Sequence, residues 1–127
     1  SLTTSAASKL MLDEFMRPLN PILSKDDVTN ILIFSWDKVV YDDDKGRHLY
    51  DGVLFESEGQ FFDLLAQSAL DTVGETFSAR NPVIHASLPN GSRMAASMAP
   101  ISPDGPRAAI RIFPKSRFSP LISSSFW

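Results

Sequence analysis

The sequence predicts an α+β fold, a mostly antiparallel sheet of about five to six strands with helices packed on it. Three stretches carry that expectation. Between Val83 and Phe113, β-compatible runs are separated by two tight-turn signals. From Ser57 to Gly74 an apolar stripe at helical spacing lies between a start and a stop signal. Ile31-Leu32-Ile33-Phe34 is a short continuous apolar run bounded by polar residues, the pattern of a buried strand.

Taken in order, residues 1–7 are small and mostly polar and are expected to be frayed or a cloning remnant. The single domain is expected over 8–114. From Ser8, the apolar positions Leu10, Met11, Phe15, Leu19 and Leu23 come close to a helical period. Pro18 and Pro21 lack amide protons and should break that helix after roughly three turns. The strand at Ile31–Phe34 is followed by a turn at Ser35-Trp36-Asp37-Lys38 and a second strand over Val39 to Tyr41. Asp42-Asp43-Asp44-Lys45-Gly46 reads as a hairpin tip leading into Arg47-His48-Leu49-Tyr50. Three successive aspartates invite a metal, but a calcium loop needs oxygen ligands at alternating positions and a bidentate acid further on. That pattern is missing, so a solvated, charged tip is expected.

Ser57-Glu58-Gly59-Gln60 has the capping-box form, in which the hydroxyl and the amide side chain each satisfy an orphan N–H. The helix that follows should run to about Val73 and stop at Gly74, with Phe61, Leu64, Leu65, Ala69 and Val73 forming one stripe against the sheet. Glu75 to Arg80 is an extended connector. Val83 to Leu88 then forms a strand, Pro89-Asn90-Gly91 reverses it, and Ser92 to Met98 returns. A second reversal at Pro103-Asp104-Gly105-Pro106 leads into Arg107 to Phe113. Lys115 to Trp127 is Ser- and Pro-rich, so 115–127 is expected to be a linker toward a missing domain. A start without Met and an end at Phe126-Trp127 fit an excised fragment.

Composition narrows the function. A length of 127 residues allows one core but not a typical two-domain enzyme. A net charge of −3 supplies no global basic field, so no nucleic-acid partner is expected and any phosphate site must be local. The chain has 0 Cys, which rules out disulfides, thiolate zinc and a cysteine nucleophile. No apolar run approaches the ~20 residues of a membrane span, and the N-terminus lacks the order of a signal peptide, so a cytoplasmic placement is the simplest.

Neither G-x-x-x-x-G-K-[ST] nor G-x-G-x-x-G occurs, so this chain alone is not a self-sufficient ATPase, and no catalytic residue or metal ligand is assigned. His48 and His85 have no acidic or histidine cluster at ligand spacing and are expected to be structural or exposed. The exceptional feature is a pair of arginines, Arg93 and Arg111, inside neighbouring strands rather than in turns. If the register puts them on one face, two planar guanidinium forks make an anion site suited to phosphate oxygens. A one-residue slip would put them on opposite faces.

The run Asn81-Pro82, Ala86, Leu88-Pro89-Asn90-Gly91-Ser92-Arg93, Ala96, Pro100, Asp104-Gly105-Pro106, Ile110-Arg111-Ile112-Phe113 resembles the N-terminal domain of bacterial secretion traffic ATPases, the hexameric motors of type II and type IV secretion and pilus assembly. It is most similar to the tight-adherence pilus branch and its type IV secretion relatives. The upstream order of a helix, Asp27 to Ile33, two strands and the Phe61-Phe62 helix is also similar, so the resemblance covers most of 8–118. The chain departs from the family at Ser78-Ala79-Arg80, often acidic there, and at Ala99, where a second Pro is usual.

The resemblance implies a regulatory and oligomerising domain of a hexamer, stacked as one tier above an ATPase tier that lies in the missing C-terminal domain. It implies ATP with Mg2+ in the full-length parent, none bound tightly here, with Arg93 and Arg111 reaching the nucleotide's terminal phosphates. It also implies platform proteins of the inner membrane as partners, and a cytoplasmic protein peripheral to that membrane. A competing expectation is a stand-alone PAS-like ligand-binding or signalling module, which would need an enclosed apolar pocket. A third is an interaction scaffold acting through Trp36 or Trp127, for which ordinary packing is the alternative.

Overall fold

The computed structural model describes residues 17–88 and 91–112. It contains a helical segment, α1, over 17–23, the strands β1 (Asn30–Ser35), β2 (Lys38–Asp43) and β3 (Gly46–Leu49), the helix α2 (Glu58–Val73), and the strands β4 (Val83–Ser87), β5 (Arg93–Ser97) and β6 (Arg107–Arg111). The strands make one six-stranded sheet in the order β3-β2-β1-β6-β5-β4. Every neighbouring pair is antiparallel. The fold is therefore α+β, as the turn signals require. β1 and β6 meet at the centre, with Asn30 opposite Arg111 and Ile33 opposite Ala108.

Alternation along each strand sorts the side chains. Ile31, Ile33, Val39, Ile84, Ala86, Met94, Ala96, Ala108 and Ile110 are buried together with Leu19 and Ile22 of α1 and Phe61, Leu65 and Ala69 of α2. Each large aliphatic or aromatic residue buried this way contributes roughly 1.5–3 kcal/mol. The ends of α2 are held as its sequence specifies. The Gln60 amide donates to Ser57 Oγ at 3.0 Å, and the Glu56 amide donates to Gln60 Oε1 at 3.0 Å. Gly74 takes φ 68, a left-handed geometry in which its amide reaches the Leu70 carbonyl. Gly105 sits at φ 125 in the turn before β6. That turn lies on the start of α2, where a Cβ on Gly105 would stand 2.5 Å from Glu58 Oε1.

Four expectations change. Ile31–Phe34 is buried on one face only. Leu32 is partly buried and Phe34 is 37% exposed, because both helices cover the same side of the sheet. The segment 17–23 stays helical through Pro18 and Pro21, with Leu19 and Ile22 fully buried. A proline's φ is itself helical, and burial of these two neighbours offsets the lost hydrogen bonds. The buried stripe of α2 is Phe61, Leu65, Ser68 and Ala69, while Val73 is 38% exposed. At about 100° per residue, Val73 lies some 120° round the helix from Phe61 and falls off the stripe. The three aspartates are not one solvated tip. Asp42 and Asp43 belong to β2 and are paired across to β3. The expectations for 1–7, Leu10, Met11, Phe15, Pro89, Asn90, Phe113, the linker 115–127 and Trp127 lie outside the described residues.

Candidate functional site

The face of the sheet opposite its buried residues holds the site. On β5, Met94 and Ala96 point to the core, so Arg93 and Ala95 point outward; on β6, Ala108 and Ile110 do the same for Ala109 and Arg111. The strands pair with Arg93 directly opposite Arg111. Both arginines are therefore on one face, and both are exposed.

The register extends this pair into a polar row. Ser87 stands opposite Arg93 on one side. On the other side the row continues from Arg111 through Asn30 and Asp42 to Arg47. Arg47 donates to both oxygens of Asp42, from Nε at 2.7 Å and from Nη2 at 3.1 Å, and Asn30 Nδ2 adds a longer bond of 3.4 Å. The hydrogen bond from Arg47 holds the Asp42 carboxyl below its usual range, against the opposing push of burial. Asp42 is thus committed to Arg47. Neither Arg93 nor Arg111 has a hydrogen-bond or ion-pair partner among the described residues.

One register step along, the outward residues of β6, β5 and β4 are Ala109, Ala95 and His85. Two methyl groups beside two long cationic side chains leave a hollow. An open concavity of about 370 Å³ lies here, with Arg93, Arg111, Asn30 and His85 in its lining and Val73 at the end of α2 beside it. Two forks on one exposed face can take a tetrahedral oxyanion by bidentate hydrogen bonds. The lining contains no carboxylate, hence no magnesium ligand of that kind.

The sequence singled out both arginines and did not attach His85 to them. Alternation along Val83–Ser87 already puts His85 on the face opposite Ile84 and Ala86, and only the hairpin register shows that this face is the arginine face. His48 has a different environment. Its Nε2 is 2.8 Å from Asp43 Oδ1, its ring lies 5.1 Å from that of Tyr41, and its hydrogen bond lowers the Asp43 pKa. Trp36 packs partly buried against the core, which fits the packing alternative.

No protein-family model matches this chain, and no curated protein matches it. A solved structure does. The crystal structure of the VirB11 ATPase from the Brucella suis type IV secretion system, in complex with sulphate, aligns over 98% of this chain with a TM-score of 0.82. The two share a fold. Identity is 18%, so the likeness to VirB11 is one of architecture, and the chain spans 37% of that protein's length.

Proposed function

We propose that this chain is the N-terminal domain of an ATP-hydrolysing secretion motor of the VirB11 kind, with the tight-adherence pilus branch as its nearest group. Two things support that reading: the fold shared with the VirB11 ATPase, and the motif run from Leu88 to Phe113. The observation that carries its mechanism is Arg93 opposite Arg111, exposed and unpaired among the described residues.

On this reading the domain regulates and helps assemble a cytoplasmic hexamer at the inner membrane, in contact with platform proteins there. Its own C-terminal ATPase domain supplies the phosphate loop and the Mg2+ site. When bound, ATP supplies the hydrolysis that drives the motor. Arg93 and Arg111 hold the terminal phosphates from the second surface. Their charge favours a triphosphate over a diphosphate, which biases the domain toward the position it takes with ATP in place. A PAS-like module would hold its ligand in an enclosed apolar pocket, whereas this concavity is open and cationic.

The test is Arg93→Ala and Arg111→Ala, separately, in the full-length parent, with ATPase turnover and nucleotide affinity measured. Both should fall by an order of magnitude or more, as expected of groups that stabilise phosphoryl charge. Unchanged turnover and affinity would end the proposal. The 127-residue chain alone should bind nucleotide weakly, because two forks without a phosphate loop supply few contacts.

A further inference from the structure

We infer that His85 is a third ligand of the arginine site, donating a hydrogen bond from β4 to a doubly charged tetrahedral oxyanion held by Arg93 and Arg111. This rests on the anion-site reading above and adds a residue and a pH dependence to it.

Three observations place the ring. Ser87 is directly opposite Arg93, so His85, two residues back on the same face, is the diagonal neighbour of that arginine. Diagonal pairs stand about 7–8 Å apart, within reach of long side chains and short enough for one phosphate-sized group to touch both. The residue directly opposite His85 is Ala95, and beyond it is Ala109, so nothing bulky separates the imidazole from either guanidinium. His85 is exposed, lines the same concavity as both arginines, and makes no hydrogen bond or ion pair among the described residues.

The charged groups sharing that concavity are Arg93 from β5 and Arg111 from β6; β1 contributes Asn30 and α2 contributes Val73, both uncharged. The row's carboxylate, Asp42, stands beyond Asn30 and is bound by Arg47. No carboxylate shares the concavity with the ring, so a dianion seated between ring and guanidiniums supplies the anionic charge that faces it. The protonated ring then adds both charge and a donor, so anion binding is coupled to proton uptake at His85. Affinity must therefore rise as pH falls through the histidine range.

Sulphate is the probe, because it stays doubly charged across that range while phosphate does not. The 127-residue chain is titrated with sodium sulphate at matched ionic strength, at about pH 5.5 and about pH 7.5, with arginine and histidine side-chain NMR signals followed. Affinity should be roughly two- to fivefold greater at the lower pH. That ratio should fall to near one in His85→Gln and persist in His48→Gln, and saturating sulphate should move the His85 titration to higher pH. A ratio that survives His85→Gln, or a His85 titration that sulphate does not move, overturns the inference. If Arg111→Ala abolishes binding while His85→Gln changes neither affinity nor ratio, the arginine site stands and His85 is not part of it. If the wild-type chain binds no sulphate at either pH, the arginine site fails and the inference fails with it.

Discussion

Replacing Arg93 with Gln should stabilise the domain while it weakens the anion site. Arg93 and Arg111 are directly opposite on adjacent antiparallel strands, and neither is neutralised by a described neighbour. Like charges so placed repel. With the Cβ atoms about 5 Å apart and both heads splayed into solvent, a separation of roughly 7 Å gives about 0.6 kcal/mol in water and about 1 kcal/mol where the sheet excludes part of the solvent. Arg93→Gln keeps the apolar stem and removes the charge, so unfolding free energy in low salt should rise by roughly 0.5–1 kcal/mol. At 1 M salt the Debye length is about 3 Å and the gain should vanish. Arg111→Gln should behave alike, and the double variant should gain no more than either single one, which separates pair repulsion from a general loss of positive charge. Urea midpoints at low and high salt are the assay. A loss of stability in Arg93→Gln at low salt, or a gain unchanged at 1 M, would refute the reasoning.

Phe61 is fully buried with its ring centre 4.7 Å from that of Phe55, so Phe61→Ala should cost about 3–5 kcal/mol of stability, read from urea unfolding. Gly105→Ala forces a side chain onto φ 125 and against Glu58 Oε1; the expected cost is roughly 1–3 kcal/mol in thermal unfolding, only part of it recovered in a Glu58→Ala background. The Asp42 carboxyl is held below its ordinary range chiefly by the hydrogen bond from Arg47. Its folded pKa is thus below its unfolded one, and the stability it contributes is present above the unfolded value and lost as pH falls below about 4. Asp42→Asn should therefore flatten the acid limb of the stability–pH curve relative to wild type.

What could be foreseen from the sequence was local. Ser57, Gln60 and Gly74 mark α2 to the residue because caps are chemistry between near neighbours. The β4–β5 reversal was legible at Gly91 and the reversal before β6 at Gly105, and both residues take positive φ. The errors arose where distant parts of the chain decide. Leu32 and Phe34 look as buried as Ile31 and Ile33 until the sheet is known to be covered on one side only. Asp42 and Asp43 look like a loop until Arg47 and His48 are seen across from them. The shared face of Arg93 and Arg111 is a matter of register, which spacing leaves open by one residue, and the placement of His85 on that face follows from the same register.

The strand order has a consequence for how the site is held together. β1–β3 and β4–β6 are two separate meanders, each built from contacts between neighbours in the chain, and a single seam, β1 against β6, joins them. The concavity straddles that seam: Asn30 comes from the first meander, and Arg93, Arg111 and His85 come from the second. Opening the seam would strip Asn30 from the lining and leave Arg93, Arg111 and His85 together, because the second meander holds all three in register without the first.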